Sequence, residues 1–394
     1  MHVITRAFKG DDGMYNKYLS ILNGVIENGH LSTVDIDTWY FVDCDLRTNV
    51  CRVIADIFPN QECLCWIERI LHIGTDFFMI VRNSKLIISV NLDGDVRYFG
   101  NKQVFEANNC FLYTDACIVN NMIYMLPGSI EGVITIFDPK RCCFVEDIPL
   151  PPLVNYFNKT QCLNCIFRYI HNETDDEVRF CVYDTNIFCV MNLKTMKMEV
   201  ITFEDTDRFW QVTGDMSNTI IMEIDSYRIF RYDEKKDTIM TVDTVIRHDD
   251  QNLDWTGYKH IYYINNWIWA IPAQMNVIEL YDVNGNLIEI LDMPMESELC
   301  FAVRVYKDKF GYSIQTEDAI YLLPFSTNGL VEVNLVTFEM QFHPLTILRS
   351  DISNKRLQRV LQKNTLVLEA EAVTLENYLI FLGKSKEFKR KKFE

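Results

Sequence analysis

Residues 119–150 read VNNMIYMLPGSIEGVITIFDPKRCCFVEDIPL, and the way this stretch divides decides the fold. Met122 to Leu126 is an apolar run closed by Pro127, Val133 to Phe137 is a second ended by Asp138, and Cys143 to Ile148 is a third. Short apolar runs bounded by Pro, Gly and Asp have the length and punctuation of β-strands. The pattern returns at residues 264–294 as INNWIWAIPAQMNVIELYDVNGNLIEILDMP and at 316–345 as TEDAIYLLPFSTNGLVEVNLVTFEMQFHPL. The chain is an array built on this unit.

The most constant mark is an Asp or Asn that ends the middle run and opens a turn: Asp45, Asn91, Asp138, Asn192, Asp233, Asp282 and Asn334, spaced by 46, 47, 54, 41, 49 and 52 residues. A short polar side chain there accepts a bond from the backbone two residues on and so starts the turn. Gly94 and Gly285 supply the positive φ such hairpins use. Pro127, Pro272 and Pro324 form a second mark, 10 or 11 residues upstream, with Val81, Val182 and Glu223 at the matching places of weaker units. Proline lacks the N–H a ladder needs, so it belongs at a strand end.

A period of about 40–50 residues with three or four short strands per unit is the signature of a β-propeller. The chain resembles kelch-like and WD-like β-propellers in architecture, without a Gly-Gly pair or a Trp-Asp dipeptide. The expectation is an all-β propeller over residues 18–345, with seven blades and six as the alternative because the first unit is the least regular. Residues 1–17 form an N-terminal segment in which His2 to Phe8 alternates like a strand that pairs with the last blade. Helical spacing at residues 351–362 and 375–382 predicts a helical extension over 346–383, and 384–394 is a basic, disordered tail.

Composition narrows the functional classes. The formal charge of −17 disfavours nucleic acid as a partner and favours a basic one. No apolar run reaches the roughly 20 residues of a membrane span, and the first residues lack a signal-peptide core, so the expected compartment is the cytoplasm. Most of the 13 cysteines sit in strand-like runs as small apolar residues. Cys162 and Cys165 alone have ligand spacing, with no second pair to complete a site, so no metal is expected.

The linkers between units and the loop after the second strand share one face of a propeller, and these loops carry aromatic residues. A non-catalytic scaffold that binds a protein or peptide through this loop face is the leading expectation, with Phe157, Trp210, His248, Trp255, Tyr258 and Phe325 as its contacts. The alternative is a propeller enzyme, or a binder of a sugar or small anion, using the central channel. Arg69, Arg168 and Arg304 each stand three residues after a bulky residue or cysteine and could converge there on an anion. The duller account pairs each arginine with a carboxylate of the next blade. Carboxylate pairs such as Asp43 and Asp45 lie at turns, and no phosphate loop or dinucleotide fingerprint occurs, so neither catalytic residues nor a cofactor is assigned.

Overall fold

The computed structural model describes residues 7–9, 15–59, 66–101, 111–129, 131–150, 165–168, 177–182, 185–202, 209–214, 218–223, 229–233, 238–242, 258–272, 277–294, 310–325, 327, 329–353 and 356. The described strands form six four-stranded sheets and one seven-stranded sheet, all antiparallel within their meanders. The innermost strands are Ile21–Glu27, Ile67–Ile73, Tyr113–Val119, Cys165–Arg168, Phe209–Gly214, Tyr258–Ile264 and Phe310–Gln315. Each lies against the next, and the last lies against the first, so the sheets close a ring of seven places: a β-propeller.

The Asp/Asn marks fall where the sequence puts them, at the last residue of each third strand. Asp45 Oδ1 accepts the Arg47 N–H at 2.9 Å, Asn91 Oδ1 those of Asp93 and Asp95, and Asp138 Oδ1 those of Lys140 and Arg141. Asn192, Asp282 and Asn334 repeat the motif. The Arg47 N–H holds the Asp45 carboxyl below the usual carboxylate range. Gly94 and Gly285 adopt φ of 92° and 88°. Pro127, Pro272 and Pro324 each close a second strand.

Blade cohesion follows from the two-residue period of a strand. In Ala319–Pro324, the side chains of Ala319, Tyr321 and Leu323 pack toward the first blade, while Ile320 and Leu322 pack toward the sixth. Both faces are buried, which is why IYLLP reads as continuously apolar. Seven such clusters occur, each built from two neighbouring blades.

Closure differs from the expectation. The first blade is not irregular: Ile21–Glu27, His30–Asp35, Tyr40–Asp45 and Val50–Asp56 form a complete meander. Of the N-terminal strand expected at His2 to Phe8, residues 2–6 lie outside the described residues. Ala7–Lys9 pairs with Tyr15–Tyr18, which pairs with Thr346–Ile347, and Thr346 joins Val50 in parallel on the outer edge of the first blade. In the last blade the innermost described strand is Phe310–Gln315, and residues 295–309 lie outside the described residues.

Beyond the last blade the chain therefore returns to the first as a strap. Leu345, Ile347 and Ile352 are buried in the cluster shared by the first and last blades. Tyr40 Oη accepts the Ser353 N–H at 3.0 Å, and Arg356 grips Asp56 through Nε at 2.9 Å and through Nη2, which also donates to the Phe58 carbonyl. The helices expected at 351–362 and 375–382 and the tail at 384–394 lie, apart from residues 351–353 and Arg356, outside the described residues; Arg349–Asp351 is a single 3-10 turn. Arg356→Ala leaves a half-buried Asp56 without its guanidinium and should cost roughly 3 kcal/mol in urea unfolding. An unchanged midpoint would show that the strap carries no stability.

Candidate functional site

Six of the seven inner strands share one irregularity at the end that meets the loop face. The register shifts between Ile21 and Gly24, Ile67 and Arg69, Tyr113 and Asp115, Phe209 and Gln211, Tyr258 and His260, and Phe310 and Ser313. Cys165–Arg168 pairs without such a shift. Each shift is a β-bulge, which inserts one residue and re-aims its side chain. The segments so re-aimed contain Asn23, Glu68, Thr114 and Tyr312, and the register shifts at 209–211 and 258–260 continue this collar of bulges around the channel mouth.

Glu68 is the best-tied member. It is 4% exposed, yet its carboxylate is fully engaged: Oε1 accepts the Tyr312 hydroxyl at 2.8 Å and Oε2 accepts Arg82 Nε. Asn23 Nδ2 donates to the Glu68 carbonyl at 3.0 Å. Tyr312 stacks on His260 with ring centroids 5.6 Å apart, and His260 Nε2 donates to the Gly311 carbonyl at 2.9 Å. These contacts link the first, second, sixth and seventh blades across the mouth. A buried carboxylate persists only with such compensation.

Arg82, held by Glu68, is the centre of an exposed platform. Its guanidinium carbon stands 4.2 Å from the centroid of the Phe111 ring, a cation–π contact. Its backbone N–H donates to the Trp66 carbonyl at 2.8 Å, and its carbonyl accepts the N–H groups of Leu112 and Tyr113 at 2.9 and 3.0 Å. The Trp66 backbone and the backbone that follows Phe111 are thus both hydrogen-bonded to Arg82, and Trp66 and Phe111 are each more than a third exposed. Gly128 permits the close packing: a Cβ there would sit 2.2 Å from the Phe111 carbonyl oxygen. Beneath, Phe137 packs against Phe78, Phe99 and Phe144. Tyr113 donates to Thr135, whose hydroxyl donates to Asp147; burial pushes the Tyr113 hydroxyl up to about 12, so it stays protonated.

The residues expected from sequence distribute unevenly. Arg69 does not stand open in the channel: its Nε lies 3.6 Å from Asp115 of the next blade, as the duller account has it. Asp115 is 6% exposed and also accepts the Ala116 N–H. Arg168 lies on an inner strand opposite Arg179, and Arg304 lies outside the described residues, upstream of the strand that takes the inner position. Phe325 is corrected: at 5% exposure it is a buried residue, and its carbonyl accepts the Ser20 hydroxyl across the junction of the first and last blades. Trp210 occupies a bulge and Tyr258 precedes one. Phe157, His248 and Trp255 lie outside the described residues, as does Cys162. Glu68, Asp115, Trp66 and Phe111 carry no mark in the repeat pattern, and the usable signal is an aromatic one or two residues ahead of an inner strand in two successive units.

Among the described residues no three His, Cys, Asp or Glu side chains come together as metal ligands would. A recess lined by Thr75, Asp76, Asn91, Asp95, Val96 and Arg97 opens on the opposite, turn-bearing face. The Arg97–Asp76 ion pair at 2.6 Å bridges it and no aromatic lines it, so it is the weaker candidate.

No protein-family model matches the sequence, and no curated protein matches it. Solved structures share the fold at low identity. Streptogramin B lyase superposes with a TM-score of 0.53 at 11% identity, covering 82% of this chain and 93% of that one. A catalytically inactive variant of virginiamycin B lyase from Staphylococcus aureus, crystallised with quinupristin, gives 0.51 at 12%, covering 73% and 86%. The computationally designed Ika8 protein gives 0.52 at 9%, covering 84% and 88%. Lyases and a designed protein stand together here, so the likeness carries the propeller and not a chemistry.

Removing the Glu68 carboxylate should unseat Arg82. Glu68→Ala should lower stability by roughly 3 kcal/mol, and Tyr312→Phe by about 1 kcal/mol, in denaturant unfolding. Equal and negligible losses would show that the collar is not held by this network.

Proposed function

We propose that the chain is a non-catalytic propeller scaffold, of the kelch-like or WD-like kind, that binds a protein or peptide through its loop face. The observation that carries this reading is Arg82 stacked on Phe111 and held by a buried carboxylate, with Trp66, a second partly exposed aromatic, tied to Arg82 through its backbone. Trp, aromatic and Arg side chains dominate binding energy where they are pre-set and become desolvated. The rigidity of the neighbouring blades spares the ordering cost a mobile loop would incur on binding. The pairing of Arg69 with Asp115 also favours the scaffold, since the enzyme reading calls for arginines left free to receive an anionic substrate.

The carboxylate surplus behind the −17 charge favours a basic partner, steered faster at low salt. The reading places the protein in the cytoplasm, where the seven described free cysteines would remain thiols. We assign Trp210 and Tyr258, on the inner strands of the fifth and sixth blades, to the same loop face.

The test begins with a partner captured by the native chain and identified. Its affinity for the double variant Trp66→Ala, Phe111→Ala should fall by about thirtyfold or more, near 2 kcal/mol, with the melting temperature unchanged. Unimpaired binding by a folded double variant would remove this face as the site.

A further inference from the structure

Cys44 lies on Tyr40–Asp45 and Cys51 on Val50–Asp56, and the two are direct partners in register. Residues opposed across antiparallel strands hold their Cα atoms about 4.5–5.5 Å apart, inside the roughly 4.4–6.8 Å that a disulfide spans. Both are free thiols, and both are buried in the cluster between the first and last blades. The other described cysteines have no cysteine opposite: Cys117 faces Tyr124, Cys143 faces Asp138, Cys165 faces Val182, Cys181 faces Ile166 and Phe188, and Cys189 faces Phe180 and Val200.

The strap covers this pair. Leu345, Ile347 and Ile352 belong to the same buried cluster, and Thr346 pairs with Val50, the neighbour of Cys51. Ser353 is tied to Tyr40 and Arg356 to Asp56, so both strands of the cysteine-bearing hairpin are fastened to the strap at its open end.

We propose that Cys44 and Cys51 form a latent disulfide, oxidised by a low-molecular-weight disulfide to which the strap of residues 345–353 and Arg356 controls access. Cys51, 6% exposed, attacks first: its sulfur bonds one sulfur of the small disulfide and the other half leaves as a thiol. Cys44 then attacks the Cys51 sulfur of the mixed disulfide and expels the second half as a thiol. The protein sulfurs lose two electrons to the oxidant, and their two protons leave on the two released thiols. Burial raises the Cys44 thiol well above its ordinary range, which keeps it protonated and unreactive while the strap is seated. The product staples the outer hairpin of the first blade where the strap attaches and removes freedom from its unfolded state.

The test exposes the reduced full-length chain to glutathione disulfide in native buffer, then maps linked peptides by mass spectrometry without reduction. A Cys44–Cys51 link should form slowly in the native chain, at least tenfold faster in Arg356→Ala, whose strap has lost its ion pair, and by an intermediate factor in Tyr40→Phe. Tyr40→Phe carries the comparison if Arg356→Ala does not fold, as read by circular dichroism. Absence of the link in every variant, or equal rates in the native chain and the folded strap variants, overturns the proposal.

Discussion

The fold depends on burial of apolar side chains between neighbouring sheets. A four-stranded blade presents two apolar faces, and each face is covered only by the adjoining blade. Seven clusters result, and none can be completed by one blade alone. Hydrophobic burial is proportional to the area removed from water, at about 25 cal/mol per Å². A gap in the ring would therefore expose two faces at once. That constraint explains the attention given to the junction of the first and last blades, where Thr346–Ile347, Ile352 and Arg356 add strand pairing, apolar cover and an ion pair to the inter-blade contact.

The same closure makes the channel mouth rigid. Glu68 of the second blade accepts from Tyr312 of the seventh and from Arg82 of its own blade, and Tyr312 stacks on His260 of the sixth. These side chains meet because a bulge at the head of each strand turns one residue out of the pleat. The polar network then fixes Arg82 against the partly exposed ring of Phe111. Packing, closure and the binding platform are thus one chain of dependence.

The architecture was legible because its determinants are local. Asp45, Asn91 and their counterparts bond backbone within four residues, so each turn writes its own signature into the sequence. Pro127, Pro272 and Pro324 mark strand ends for an equally local reason, the missing N–H. The strap was not legible because it is not local: the pairing of Val50 with Thr346 joins residues far apart in the chain through a single bridge. The candidate site was hidden for the same reason. A bulge at Glu68 carries no glycine to announce it, and nothing in WIER predicts that Tyr312 will reach its carboxylate. Phe325 misled because an aromatic after a loop-forming proline reads as exposed, whereas the junction with the first blade covers it.

The central claim is that the ring closes directly between its first and last blades and so holds every inner strand alike. Amide hydrogen exchange followed by mass spectrometry tests it most directly, because protection reports the free energy of local opening. A closed ring predicts that peptides covering Ile21–Glu27 and Phe310–Gln315 are protected as strongly as Tyr113–Val119 within the ring. Exchange of the two terminal inner strands at the rate of exposed edges, with Tyr113–Val119 still protected, would contradict closure.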